Sequence, residues 1–352
     1  GKLSLKSANL ISKNTPKYLD IVMQLTEFFR LWQDSSPYME VCTSGSTGQP
    51  KKILVEKKRM EASALTTCQF LGLQPGDTAL LCLPLDYIAG KMMAIRAHVA
   101  HLKLIDVPPS SHPLKDIQVA PDFAAMIPMQ VICSMEQPQE KSILMNIRHL
   151  IIGGGPVDEP LKHQLSHFPN YVWSTYGMTE TLSHIALRKL NGEDASDWYC
   201  PLPGISVHTD SHDCLVIHAP AICPKDLITH DIGQMHSDGY HFRILGRTDN
   251  IICSGGIKLQ IETLEQSLTP HLSHPFIITS TPHPLLGECV TLLTEDIHTG
   301  EIDRICRNVL PEHHHPHRIY HVRQIPLTET GKPARAQAQQ LAKEILKESP
   351  SH

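Results

Sequence analysis

The chain has 352 residues, 41% of them hydrophobic and 19% charged, with 31 lysines and arginines against 36 aspartates and glutamates, a net charge of −5. This is the balance of an ordinary globular protein long enough for two domains. It excludes the basic field of a nucleic-acid-binding surface, and apolar runs such as Ala79 to Leu85 are far too short to span a membrane.

Residues 1 to 6 carry no apolar core of a secretory signal, so a cytoplasmic location is expected. Residues 16 to 34 space Tyr18, Ile21, Val22, Leu25, Phe28, Phe29 and Trp32 as an amphipathic helix does. Met39 to Cys42 reads as a strand entering a loop that ends at Lys51 and Lys52. The loop crowds the hydroxyls of Thr43, Ser44, Ser46 and Thr47 around Gly45 and Gly48. Glycines let turned backbone N–H groups form an anion nest, and hydroxyls and ammonium groups add donors. The loop reads as a polyphosphate cradle; a plain Gly/Ser surface turn is the other reading. It is not a Walker A loop, because Gly45 and Gly48 are three apart and Pro50 precedes Lys51.

Beyond the loop, a helix is predicted over 57–71, closed by Gly72, then a turn at Pro75-Gly76-Asp77 and a buried strand over 78–83. Helices also fit 89–101 and 159–167, and strands fit 102–107, 150–152 and 171–174. Alternating strands and helices predict an α/β layer with a mainly parallel sheet. From Tyr199 to Leu245 the segments are short and turn-rich, which predicts β-structure. The ten cysteines are scattered with no C-x-x-C pair, which reads as reduced thiols, neither a zinc site nor a disulfide frame. Histidine is abundant, at 23 residues; the run His313-His314-His315-Pro316-His317 lacks companion Cys or Asp ligands and reads as a solvated loop before a strand.

Seven motifs then stand in one order. The phosphate loop is followed by Ile151-Ile152-Gly153-Gly154-Gly155-Pro156, Ser174-Thr175-Tyr176-Gly177-Met178-Thr179-Glu180-Thr181 and Pro201-Leu202-Pro203-Gly204. Next come Thr229-His230-Asp231-Ile232-Gly233, Gly246-Arg247-Thr248-Asp249-Asn250 and Leu327-Thr328-Glu329-Thr330-Gly331-Lys332. Together they resemble the signatures of the adenylate-forming ligases, the acyl- and aryl-CoA synthetase superfamily. The resemblance implies an α/β ligase fold with a large N-terminal domain (1–246), a hinge at 247–250 and a small mobile α+β C-terminal domain (251–352). Only 42 residues precede the phosphate loop, so a reduced front subdomain is expected.

The resemblance also implies roles. Thr43, Ser44, Gly45, Ser46, Thr47, Gly48 and Lys51 hold the β- and γ-phosphates of ATP. Gly153, Gly154 and Gly155 let adenine approach, and Tyr176 stacks on it. Thr179 bonds the α-phosphate, and Glu180 ligates Mg²⁺, a hard ion that takes oxygen ligands. Asp231, with Arg247 as partner, takes the ribose hydroxyls. Lys332 sits between carboxylate and α-phosphate as an electrostatic bridge, and Arg335 completes the G-K-x-x-R pattern. Asp249 is the pivot that brings Ser254-Gly255-Gly256 toward the active site. Of the P-x-E-hydrophobic-E motif, only Glu265 matches, so Glu262 receives no role.

Within the superfamily, Leu83-Pro84-Leu85-Asp86-Tyr87-Ile88-Ala89-Gly90 followed by Arg96 looks most like the o-succinylbenzoate–CoA ligases of menaquinone biosynthesis, with Asp86-Tyr87 where Phe-His is usual. Arg96 falls on an otherwise apolar helix, with Met92, Met93, Ile95 and Val99, and a buried cation there needs an anionic partner. The second carboxylate of o-succinylbenzoate would supply it; a structural salt bridge is the other reading. Tyr87, Gly90, Gly155, Met178, Ser183 and His184 are expected on the pocket wall. The expected activity is ATP-dependent activation of the acid as acyl-AMP and transfer to CoA. The alternatives are another aryl or acyl acid, a carrier-protein thiol, or a non-catalytic nucleotide-binding remnant. ATP, Mg²⁺, CoA and a small carboxylic acid are the expected partners, with no nucleic acid and no membrane span, and a homo-oligomer is compatible with the chain.

Overall fold

The computed structural model describes residues 16–42, 52–328 and 333–348. Thr43 to Lys51 of the expected phosphate cradle, and Lys332, lie outside the described residues. The chain opens with α1 (Pro16–Gln33). Strands β1 (Tyr38–Cys42) and β2 (Lys52–Glu56) then pair antiparallel, Cys42 opposite Lys52, so residues 43–51 connect the two strands of one hairpin.

The main layer begins after α2 (Lys57–Phe70). Its elements are β3 (Thr78–Leu81), α3 (Ile88–Val99), β4 (Lys103–Asp106), β5 (Phe123–Met126), α4 (Pro128–Glu136), α5 (Pro138–Asn146), β6 (His149–Ile152), α6 (Glu159–Leu165), β7 (Tyr171–Gly177), β8 (His184–Lys189) and β9 (Cys200–Pro201). The seven strands lie in the order β4-β3-β5-β6-β7-β8-β9, parallel from β4 to β7 and antiparallel beyond. All four residues of β5 and the last three of β6 are buried, as a parallel sheet covered on both faces requires. The chain leaves β3 for the edge strand β4, then crosses back to β5. Such a reversal of strand order opens a crevice at the carboxyl ends of the strands, where open α/β sheets bind ligands. Gln130 spans it, donating Nε2 to the carbonyls of Cys82 (3.1 Å) and Ser110 (2.9 Å).

A four-stranded antiparallel meander follows, β10 (Ser206–Thr209), β11 (Cys214–His218), β12 (Leu227–Met235) and β13 (Phe242–Arg247). A short turn, Thr248–Asn250, leads into β14 (Ile251–Ser254), β15 (Ile257–Gln260), α7 (Ile261–Leu268), β16 (Phe276–His283), β17 (Gly287–Thr294), α8 (Thr299–Val309), β18 (Arg318–His321) and α9 (Arg335–Glu348). Their sheet runs β15-β14-β17-β16, with β18 parallel to β17. Buried apolar side chains gather in one cluster drawn from Leu25 to Phe242 and in two smaller ones drawn from Ile252 to Ala342.

The architecture is α/β, a mainly parallel sheet followed by smaller antiparallel units, as the motif resemblance led one to expect. The strand expected over 78–83 stops at Leu81, three residues short of Pro84, and the helix expected to reach His167 stops at Leu165. Among the elements not anticipated, β5 is only four residues long, and α4 and α5 each start on a proline, Pro128 and Pro138. Proline at the first helical position loses no needed N–H, but the prolines break the apolar rhythm that betrays longer helices. Nine described cysteines are free thiols. His313 and His314 lie on a short turn before β18. No described helix is long and apolar enough to cross a membrane.

Candidate active site

Two groups of expected site residues meet at the carboxyl end of β7. The first is built around Asp231 on β12, which is 6% exposed. The Tyr176 hydroxyl donates to its Oδ2 at 2.7 Å, and Arg247 Nη1 donates to its Oδ1 at 2.7 Å. The β12–β13 register places Asp231 directly opposite Arg247, so strand pairing itself positions the ion pair. Arg247 Nη2 also reaches Asp249 Oδ2 at 3.1 Å, linking this group to the expected hinge. Burial and the Asp231 carboxylate together push the Tyr176 hydroxyl far above its ordinary pKa, so it stays a donor at every physiological pH. Burial weighs against the Arg247 guanidinium, but Asp231 and Asp249 hold its pKa above the usual value. The ring of Tyr176 stands edge-on to Phe242 (5.4 Å), which stacks on Tyr199 (5.7 Å). Phe242 and Tyr199 were not anticipated; their signal was only an aromatic residue in a predicted β-region.

Gly153 to Gly155 form the turn after β6. Gly153 packs against Thr175, and Gly155 lies over Pro128 at the start of α4. Thr179 and Glu180 occupy a single turn, Thr179–Thr181, immediately after β7. Thr179 is buried and Glu180 exposed. The Met178 N–H donates to Thr181 Oγ1 (2.9 Å), and Cys223 Sγ donates to the Glu180 carbonyl (3.4 Å), so the turn is tied on two sides. An exposed carboxylate on a braced turn suits Mg²⁺, which keeps several waters beside one or two protein oxygens.

The second group surrounds Arg96 on α3. Arg96 is 2% exposed. Its Nη2 donates to Ser183 Oγ, while its Nε is buried without a partner. No carboxylate among the described residues pairs with it. Burial pulls the Arg96 pKa down to about 10, which still leaves it a cation at neutral pH. His184, also buried, reaches Thr67 Oγ1 on α2 through Nε2 (3.1 Å). Burial and then Arg96 hold the His184 pKa well below the usual value, so its ring is neutral and Arg96 carries the local charge. Thr67 was not anticipated; a threonine inside a helix carries no signal of its own.

The two groups touch. A Cβ on Gly177 would run into the carbonyl of Ser183 and the backbone of His184, so only glycine lets the ends of β7 and β8 meet this closely. Leu182 takes φ 65° while its side chain is buried. A bulky residue in that region costs roughly 1–3 kcal/mol, and such strain concentrates at functional turns. Here it aims Ser183 at Arg96. Gly90, at the start of α3, is pressed against the carbonyl of Pro84 in the same way. Tyr87 caps α3, half-buried, and Met178 is half-buried beside the Thr179 turn.

Comparison with known proteins gives the family and the fold. Residues 25–210 match the AMP-binding enzyme family. The 2-succinylbenzoate–CoA ligase of Bacillus mycoides strain KBAB4 is 24% identical over 343 residues, spanning 87% of this chain and 70% of that relative. An acyl-CoA synthetase (AMP-forming)/AMP-acid ligase II-like protein from Dyadobacter fermentans is 31% identical, with a TM-score of 0.64 over 96% of this chain and 97% of that one. The O-succinylbenzoate coenzyme A synthetase of Bacillus subtilis, solved with ATP and magnesium ion, shares the fold at a TM-score of 0.71 and 20% identity over 85% of this chain and 69% of that one.

Proposed function

The chain belongs to the AMP-binding enzyme family, whose adenylate-forming members join acids to CoA, and from that premise we propose that it activates o-succinylbenzoate with ATP and transfers the acyl group to CoA. The observation that carries the choice of acid is Arg96. A guanidinium with a buried, unpartnered Nε is costly to keep in an apolar interior. A ligand carboxylate reaching it would remove that cost. A monocarboxylic acid activated at its one carboxylate leaves Arg96 unpaired; a dicarboxylic acid satisfies both ends. The likeness to the Bacillus ligases supports the same substrate.

In this reading Tyr176, Asp231 and Arg247 fix the nucleoside. The Asp231 carboxylate accepts from the ribose hydroxyls on lone pairs left free by Tyr176 and Arg247. Thr179 orients the α-phosphate, and Glu180 holds magnesium. Magnesium, when bound, neutralises charge on the phosphate oxygens. Arg96, with Ser183 and neutral His184, anchors the far carboxylate so that the near one lies against the α-phosphorus. Thr43 to Lys51 cradle the leaving pyrophosphate, and Lys332 bridges the two anions as they meet. One carboxylate oxygen bonds to phosphorus and pyrophosphate departs; the CoA thiolate then attacks the acyl carbon and AMP departs. The division into residues 1–246 and 251–352 about Asp249 belongs to this proposal. The separate buried clusters on either side of the turn at 248–250 support it.

The test compares pyrophosphate release with o-succinylbenzoate and with benzoate. We expect o-succinylbenzoate to be preferred by about 100-fold in kcat/KM, and Arg96→Met to erase most of the preference. Equal rates with both acids in the unmodified chain would overturn the substrate assignment while leaving the ligase class intact.

A further inference from the structure

The tight turn between β12 and β13 carries a second chemistry at its tip. Within the six residues His236-Ser237-Asp238-Gly239-Tyr240-His241, three potential metal ligands converge. One ligand atom from each of His236, Asp238 and His241 lies within 4.8 Å of the other two. Asp238 Oδ2 is the focus, 3.1 Å from His236 Nδ1 and 2.6 Å from His241 Nδ1.

The arrangement is braced from outside. Asp238 Oδ1 accepts the backbone N–H groups of Tyr240 (2.8 Å) and His241 (3.0 Å), which leaves Oδ2 as the outward oxygen. The His236 ring lies edge-on to Trp198 (4.8 Å), and the His241 ring lies edge-on to Tyr240 (5.3 Å). The Tyr240 hydroxyl donates to the Pro201 carbonyl (2.9 Å), fixing that ring to the main sheet. The Asp238 N–H lies 3.4 Å from His236 Nδ1, a contact that a bound ion would displace. Outer contacts that fix carboxylate direction and hold the rings in place are what a metal site needs beyond its ligands. Arg243 stacks on the Trp198 ring and donates Nε to Gln234.

We propose that His236, Asp238 and His241 form a surface site for a borderline divalent transition-metal ion, Zn²⁺ or Ni²⁺ in class, that clips the β12–β13 turn. Two imidazoles and one carboxylate select such ions over Mg²⁺, which prefers oxygen alone. Bond lengths near 2.0–2.2 Å require side-chain shifts of under about 1 Å from the observed positions. The ion takes the place of the proton between His241 Nδ1 and Asp238 Oδ2, which passes to solvent, and leaves a coordination position to water. The site stands at the end of the hairpin remote from the Asp231–Arg247 pair, since Met235 pairs with Phe242 at one end and Asp231 with Arg247 at the other. Its role is to hold the strand register, independent of the ligase reading.

The test is Zn²⁺ titration of the full chain against a chromogenic chelator, with thermal melting in parallel. The control variant His313→Gln/His314→Gln changes two histidines of the other run, and His236→Gln/His241→Gln removes two ligands while keeping the Asp238 backbone contacts. We expect one site with a dissociation constant of about 1–10 μM and a rise of a few degrees in melting temperature with excess Zn²⁺. The control variant should keep both, and the ligand variant should bind at least 10-fold more weakly with no rise. No site tighter than about 100 μM in the unmodified chain, or unchanged binding in the ligand variant, overturns the proposal. A ligand variant that melts lower without metal still decides the matter, because Asp238→Ala in a second preparation must lose the site as well.

Discussion

Arg96 separates a structural ion pair from a ligand anchor, because the two make opposite predictions for stability. Breaking a buried pair strands a charge and destabilises, whereas removing an unpaired buried cation relieves a desolvation cost. Its Nε has no partner, so Arg96→Met should leave the melting temperature unchanged or raise it, while lowering kcat/KM for the dicarboxylic acid by about 100-fold or more. Differential scanning fluorimetry and pyrophosphate release on the same preparations check both halves. Asp231 behaves differently, since two donors depend on it. Asp231→Asn should raise KM for ATP by roughly 10- to 100-fold, the worth of a charge-assisted hydrogen bond or two, with a smaller effect on KM for the acid. Both residues were legible in the sequence: Arg96 as a charge on an apolar helix, Asp231 from its motif. The Leu182 strain and the Thr67–His184 contact were not, because neither residue type departs from what an ordinary turn or helix contains.

At the scale of elements, β4 ends the parallel sheet on a carboxyl that finds no partner. Asp106 Oδ2 is buried without a hydrogen bond among the described residues, in a cavity of about 310 Å³ lined by Leu83, Pro84, Leu85, Val107 and Pro108. Burial pushes its pKa up to about 7 from 3.8. Well below pH 3.8 folded and unfolded chains both hold the proton. As pH rises toward 7 the unfolded chain releases it and the folded chain does not, so stability falls across that window. Asp106→Asn should therefore raise the melting temperature by about 3 °C at pH 8 and much less at pH 4, read from thermal melts in matched buffers. An equal gain at both pH values would show that ionisation is not the cause. Element type was readable wherever an apolar period ran long enough, as in α2 and α3. It was unreadable for β5, α4 and α5, where four-residue runs and initial prolines leave no period to count. In the C-terminal part, Glu265 stood out from its motif, and the structure supplies its partner: Arg335 forks onto it at 2.7 and 3.1 Å.

At the scale of the molecule, one turn links the two parts of the chain. Thr248 to Asn250 joins the meander to the last sheet, and Gln260 holds it by donating Nε2 to the Arg247 carbonyl at 2.9 Å. If the two half-reactions need two arrangements of residues 251–352 about this turn, restricting it should uncouple them. Asp249→Pro is expected to retain at least one tenth of the adenylation rate, followed by pyrophosphate release, while thioester formation falls by more than 100-fold. Equal losses in both steps would deny the pivot. The order of seven motifs made the fold class legible, since together they resemble one family's signatures. The surroundings of Arg96 were less so, because its neighbours come from separate elements, and convergence is a property of the folded chain.

The most direct measurement is mass spectrometry of the products formed from ATP, Mg²⁺, CoA and o-succinylbenzoate. The account predicts o-succinylbenzoyl-CoA together with AMP and pyrophosphate, and no such thioester when the acid is benzoate. ADP in place of AMP, or thioesters from other acids with none from o-succinylbenzoate, would contradict it.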